Sequence, residues 1–215
     1  MLNKKNLLII VPALNEDKTI KKIIIKLKKF GHVLVVDDGS NDKTKYISKK
    51  IGAKVLSHKK NLGYNQALNS GYRYFLKKKY RNVITIDADN QLPAHYIKKF
   101  IKKLNEGTNI VCGVRHRVNR LGEKFFIFFS NLIWGLKDPL CGLKGFSYDF
   151  IKKNYSKPKF DSINTELIIK GRRTRSIKHL EIKNKSRKDT SRFGDGFLVN
   201  INIILTFFKC LIFIK

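Results

Sequence analysis

The sequence predicts an α/β fold, a doubly wound and mostly parallel sheet followed by an apolar C-terminal helix. Over the first half of the 215-residue chain, short apolar runs alternate with stretches of helical periodicity. That pattern builds parallel strands joined by right-handed crossovers. The seven acidic residues of the first hundred positions fall in three clusters, PALNED (12–17), DDGSND (37–42) and DADNQ (87–91). Each follows an apolar run, LLII, VLVV and NVITI, so the carboxylates sit at the carboxyl ends of strands, where open α/β sheets bind ligands. No Gly-x-Gly-x-x-Gly follows the first strand and no Walker phosphate loop occurs, which argues against dinucleotide chemistry and P-loop hydrolysis. A basic chain that keeps its acids for one rim is read as holding a divalent metal and a nucleotide there.

Residues 7–11 read as the first strand. Residues 18–29 carry Ile20, Ile23, Ile24 and Leu27 at helical spacing. Residues 32–36 are the second strand, 43–51 a helix closed by Gly52 as C-cap, and 54–57 the third strand. Residues 63–78 form a helix with Ala67, Leu68, Tyr72 and Phe75 on one side. Residues 82–86 are the fourth strand, and 93–104 a helix opened by Pro93. Residues 109–113 are the fifth strand. Residues 121–136, rich in Phe and Ile, are a core or membrane-lying helix, and 138–146 a loop entering a strand. Residues 162–170 read as a helix with Ser162 as N-cap, 176–182 as a strand and 183–192 as a basic loop. The apolar tail 197–214 carries one polar stripe, Asn202, Thr206 and Lys209. That stripe favours a helix lying in the membrane interface, with a short spanning helix and a core-packing helix as the alternatives.

The formal charge of +30 predicts attraction to polyanions, with lysine-rich residue usage as the alternative explanation. The three cysteines, Cys112, Cys141 and Cys210, form no Cys-x-x-Cys pair, so they read as buried structural thiols in a reducing compartment. The short apolar run 7–14 ends in Asn15-Glu16 with no small-residue cleavage site, so it reads as a strand rather than a signal peptide, in a chain that starts in the cytoplasm.

Asp87 and Asp89 are the sharpest pair. In an extended segment, residues two apart point the same way. Two such carboxylates can share Mg²⁺ or Mn²⁺, with Gln91 assisting. Asp38 is placed to accept hydrogen bonds from a base or ribose, alongside helix capping by Ser40 or Asn41. Glu16 either binds nucleotide or favours the N-terminus of the first helix.

Taken together, PALNE (12–16), DDGS (37–40), NLGYNQAL (61–68), DADNQLP (87–93), GVR (113–115), DPLCGLKGF (138–146) and SRFG (191–194) resemble the family 2 glycosyltransferases of GT-A fold. The likeness is greatest to the polyprenyl-phosphate branch typified by dolichyl-phosphate mannose synthase. It runs in order to about Gly194, so residues 1–194 read as a GT-A domain and 195–215 as an apolar, membrane-interfacial helix. The resemblance implies a GDP- or UDP-sugar donor held by Pro12, Asn15, Glu16, Asp38, Gly63, Ala88 and Gln91. It implies a metal on Asp87, Asp89 and Gln91, and an acceptor phosphate faced by Arg115, Lys124 and Ser130. A loop bearing Arg187, Ser191 and Arg192 would close over the phosphates. Two departures stand out. A second arginine common in the family one turn before the serine is absent, the stretch reading Glu123-Lys124-Phe125-Phe126. The loop Arg187-Lys-Asp-Thr-Ser-Arg lacks the usual glycine and is one residue shorter.

The expected reaction is inverting sugar transfer to a polyprenyl phosphate, dolichyl or undecaprenyl. It needs no strong base, because a phosphate monoester has its second pKa near ~6. A hydroxyl acceptor, in a polysaccharide or glycolipid, would need a carboxylate base, with Asp138 favoured and Glu166 second. An anionic membrane surface is the expected partner and nucleic acid is not, since aromatic and basic residues are not interleaved. The enzyme is expected at the cytoplasmic face of the membrane, peripheral or singly anchored.

Overall fold

The computed structural model describes residues 6–156, 162–174, 176–185 and 196–213. The first half follows the expected alternation: β1 (Leu7–Ala13), α1 (Asp17–Leu27), β2 (His32–Asp37), α2 (Thr44–Lys50), β3 (Lys54–Ser57), α3 (Tyr64–Lys78) and β4 (Asn82–Thr85). A 3-10 turn (Ala94–Tyr96) leads into α4 (Ile97–Asn105), so the helix expected from Pro93 starts later than its proline. Then come β5 (Ile110–Arg115), α5 (Leu121–Trp134), β6 (Lys144–Ser147), α6 (Tyr148–Asn154), α7 (Ile163–Gly171), β7 (Ile177–Ile182) and α8 (Phe197–Phe213). Helix α6 has no counterpart in the sequence reading. It is a two-turn element whose N-cap, Ser147, accepts a hydrogen bond from the Phe150 N–H. Ser162 does not cap α7 with its side chain, because its hydroxyl pairs with Thr165 Oγ1 at 2.7 Å.

The seven strands lie in the order β3-β2-β1-β4-β6-β5-β7. All pairs are parallel except those of β6, which runs antiparallel to β4 and β5. Alternation along β1 divides the core. Leu7, Ile9 and Val11 pack with α1 and α4 on one face, while Leu8 and Ile10 pack with α3 on the other. Close approach on the second face depends on Gly71, since a Cβ there would lie 2.6 Å from Ile10 Cγ2. In register, Ala13 of β1 pairs with Asp37 of β2, and Ile10 with Thr85 of β4. The three acid clusters therefore emerge side by side at one rim of the sheet.

Helix α8 packs on α5. Phe207 and Cys210 are buried, and the Phe207 ring meets Phe126 edge-on at 5.2 Å and Trp134 at 5.5 Å. The opposite side exposes Leu198, Leu205 and Phe208, together with Asn202 and Lys209 of the polar stripe. Among the described residues no helix is long and apolar enough to cross a membrane. The three cysteines are buried and unpaired. Burial pushes the thiols of Cys112 and Cys141 up to about 12, which leaves both inert as nucleophiles at neutral pH.

Candidate active site

Asp87 and Asp89 lie just beyond β4. The Ile86 N–H still donates to the Ile10 carbonyl at 3.1 Å. The chain then turns, with Asn90 at φ 58 and the Gln91 N–H donating to Asp89 Oδ1 at 3.0 Å. A turn, not the pleat of an extended strand, brings this pair together, which corrects the geometric reason drawn from the sequence. Their charges act on one another. Burial, and then the charge of Asp89, push Asp87 up to about 6, against the Tyr64 hydroxyl and the cations Lys144 and Arg115.

Asp87 is held from two sides. The Tyr64 hydroxyl donates to Oδ1 at 2.8 Å, and a Cβ at Gly142 would lie 1.9 Å from Oδ2, so the backbone of that loop abuts the carboxylate. The loop is itself fixed to β4, because Thr85 Oγ1 donates to the Gly142 carbonyl at 3.1 Å. Two residues on, Lys144 is 2% exposed and its ammonium donates to the Cys141 carbonyl. Burial lowers the pKa of that ammonium. Neither Tyr64 nor Lys144 was singled out from the sequence. Lys144 left one signal, a lysine set between Leu143 and Phe146 in an otherwise apolar approach to a strand.

The nucleoside candidates line the neighbouring strand ends. Asp38 is buried, and its Oδ1 lies 2.6 Å from His58 Nδ1 and accepts the Leu62 N–H at 3.0 Å. Its Oδ2 accepts the Gly63 N–H at 2.8 Å, so the carboxylate ties the 61–63 loop to β2. Gly63 has φ +94, a conformation open at little cost only to glycine. The exposed Asn15, at φ 51, donates its N–H to Ser40 Oγ and accepts the Asn41 N–H on Oδ1, both at 2.9 Å. Ser40 and Asn41 therefore bridge two strand ends and do not cap α2. Asp42 accepts the Thr44 and Asp17 N–H groups instead. Glu16 precedes α1 and accepts the Thr19 hydroxyl at 2.7 Å. Pro12 is buried within β1, Ala88 is buried between the two acids, and Gln91 is half-buried.

The acceptor-side residues take a different form from the one expected. Arg115 forks onto Asp138, with Nε donating to Oδ2 at 2.8 Å and Nη2 to Oδ1 at 3.0 Å, while Nη1 donates to Glu123 at 3.0 Å. Arg120 reaches the other oxygen of Glu123 at 3.1 Å. Burial pulls the Arg115 guanidinium down, and Asp138 and Glu123 outweigh it, so its pKa lies above the ordinary value. Two arginines thus meet two carboxylates in a partly buried, charge-balanced cluster. Lys124 is exposed on α5. Ser130 is 0% exposed, and its hydroxyl lies 3.0 Å from the Ile127 carbonyl and 2.9 Å from that of Leu136. In this structure the hydroxyl closes the end of its own helix. Glu166 is buried on α7. Arg187, Ser191 and Arg192 lie outside the described residues. The chain leading towards them passes the acid pair, since the Lys185 N–H donates to the Gln91 carbonyl at 3.0 Å.

The residues present suit a hard divalent cation. Asp87 and Asp89 offer oxygen donors whose mutual repulsion such an ion relieves. Among the described residues no third His, Cys, Asp or Glu joins them.

A family model described as Glycosyl transferase family 2 matches residues 8–136. An uncharacterised protein of Methanocaldococcus jannaschii is 36% identical over 185 residues, 78% of this chain and 76% of its own length. A dolichyl-phosphate hexose transferase of Haloferax volcanii is 26% identical over 159 residues, 68% of each chain. Among solved structures, glucosyl-3-phosphoglycerate synthase from Mycobacterium tuberculosis, in complex with Mn²⁺, UDP and glucosyl-3-phosphoglycerate, superposes with a TM-score of 0.75. That match covers 94% of this chain and 80% of the other at 18% identity, a likeness of fold.

Proposed function

The chain belongs to glycosyl transferase family 2, with a GT-A fold, and on that premise we propose that it moves a sugar, with inversion, from a nucleoside-diphosphate donor to a polyprenyl phosphate. The observation that carries the proposal is the Asp87–Asp89 pair, one carboxylate clamped and raised to about 6 by burial and by its neighbour, at a rim shared with Asp38, Asn15 and Glu16. Asp87 and Asp89, with Gln91 beside them, would hold Mg²⁺ or Mn²⁺, which offsets the charge that develops on the departing nucleoside diphosphate. The Mn²⁺ and UDP bound by the M. tuberculosis synthase support that assignment. Asp38 fixes the 61–63 loop that borders the nucleoside side, while Asn15 and Glu16 line its edge.

The linkage has a definite sign. Asp87 lies above its ordinary value of 3.8, at about 6, so its contribution to metal-free stability is full below ~3.9 and is lost as pH rises through about 6. A bound cation reverses that loss. Mn²⁺ is therefore expected to raise the thermal midpoint at pH 7.5 and to raise it less at pH 5, read by scanning calorimetry. An equal rise at both pH values contradicts the assignment.

A lipid phosphate is favoured over a hydroxyl acceptor because both candidate bases are committed or enclosed. Asp138 is 1% exposed and forked by Arg115, and Glu166 is buried. A phosphate acceptor is already largely deprotonated at neutral pH. The lipid is supported by exposed apolar side chains: Leu121, Phe128 and Leu132 of α5 and Leu198, Leu205 and Phe208 of α8 are exposed in a chain of charge +30. Together these are the two signals that hold a peripheral protein on an anionic bilayer. The experiment is transfer of labelled sugar from UDP- and GDP-sugars into solvent-extractable lipid by the wild type and Asp138→Asn. A phosphate acceptor predicts that Asp138→Asn keeps activity to within about tenfold. A base role predicts a loss of about 10²–10⁴-fold.

A further inference from the structure

We infer that Tyr64 is a positioning residue for the cation, its hydroxyl fixing the Asp87 carboxylate so that Asp87 and Asp89 present oxygens to one ion. The inference rests on the metal-dependent reading above. Tyr64 is the first residue of α3, directly after Gly63, whose N–H is held by Asp38 Oδ2 at 2.8 Å and by Asn61 Oδ1 at 2.9 Å. The start of α3 is thereby anchored to the end of β2, and from that anchor the Tyr64 ring carries its hydroxyl to Asp87 Oδ1 at 2.8 Å. The other side of Asp87 is closed by the backbone at Gly142, where even a methyl group would collide with Oδ2. A carboxylate pressed by backbone on one side and bonded on the other has one orientation available. The chemistry of the donor also fits. A phenol directs the carboxylate without cancelling its charge, whereas a lysine or arginine in its place would remove the negative potential that attracts a cation. One chain of contacts, Asp38–Gly63–Tyr64–Asp87, thus links the nucleoside rim to the metal rim.

The test is Mn²⁺ titration of the full chain in the absence of donor, with free Mn²⁺ read by electron paramagnetic resonance. Tyr64→Phe keeps the ring and removes only the hydroxyl. It is expected to weaken Mn²⁺ binding about tenfold, the scale of one hydrogen bond to a charged group, while the metal-free thermal midpoint falls by no more than about 4 °C. In turnover assays the apparent KM for Mn²⁺ rises and kcat at saturating Mn²⁺ stays near that of the wild type. Gly142→Ala presses the same carboxylate from the opposite side and is expected to weaken Mn²⁺ at least as much. Wild-type Mn²⁺ affinity in Tyr64→Phe, with Asp89→Ala defective, overturns the role of Tyr64 whatever Gly142→Ala does, and leaves the metal site standing. A wild type that binds no Mn²⁺, either alone or with UDP present, overturns the metal reading and this inference with it.

Discussion

Asp89→Ala is expected to lower kcat/KM for sugar transfer about 10³-fold, with the folded structure retained. On the proposed reading the departing nucleoside diphosphate would carry its new charge at the rim where β1, β2 and β4 end, beside Asp87 and Asp89, whose charges act on one another. Without a cation those acids oppose the reaction. A bound divalent ion contributes several kcal/mol of charge stabilisation, and each ~1.36 kcal/mol is tenfold in rate. Asp89 is the less enclosed member of the pair: its Oδ1 takes one backbone N–H, from Gln91, whereas Asp87 is wedged between Tyr64 and Gly142. Removing Asp89 also removes the like charge that raises Asp87, so this variant is expected to be at least as stable as the wild type without metal. Loss of Mn²⁺-stimulated donor binding together with an undiminished denaturation midpoint is the expected combination. Activity within tenfold of the wild type would remove the acid pair from the mechanism.

Arg115→Ala is expected to destabilise the fold by about 3–5 kcal/mol, the usual result of stripping the partner from a buried charge. Asp138 is 1% exposed and accepts the Arg115 side chain at 2.8 and 3.0 Å and its backbone N–H at 3.1 Å. With the guanidinium gone, both oxygens of a buried carboxylate lose their charged donor. Arg120→Ala is the control, because Glu123 still keeps Arg115; a smaller loss is expected there. Urea denaturation measures both. If Arg115→Ala moves the midpoint no more than Arg120→Ala, the pair is not the brace that its geometry suggests. A loss of transfer activity in Arg115→Ala is informative only at a temperature where the variant is folded.

The alternating half of the chain was readable because its signals are local. Runs such as LLII and VLVV declare buried strands, and Ile20, Ile23, Ile24 and Leu27 declare a helix face, each from residues within a few positions of one another. The acid clusters were readable for the same reason, since a strand and the turn after it are contiguous. The antiparallel course of β6 was not, because Lys144 pairs with Thr85 across a separation that no local pattern encodes. The same holds inside the site. Tyr64 meets Asp87 across 23 residues, and Arg115 meets Asp138 across 23. Arg115 read as a phosphate ligand while its partners were unknown; with Asp138 and Glu123 beside it, the guanidinium is an internal brace. Ser130 is given to an acceptor phosphate by resemblance alone, and no local pattern encodes the approach of its hydroxyl to the Leu136 carbonyl beyond the end of α5.

Crystals soaked with Mn²⁺ and UDP provide the most direct measurement, through the anomalous scattering of manganese. A peak within ~2.0–2.6 Å of an Asp89 carboxylate oxygen, beside Asp87 and touching the diphosphate, is the expected result, that range being usual for hard cations with oxygen ligands. A diphosphate seated at the rim with no metal at Asp87 and Asp89, or a manganese peak elsewhere in the fold, would contradict it.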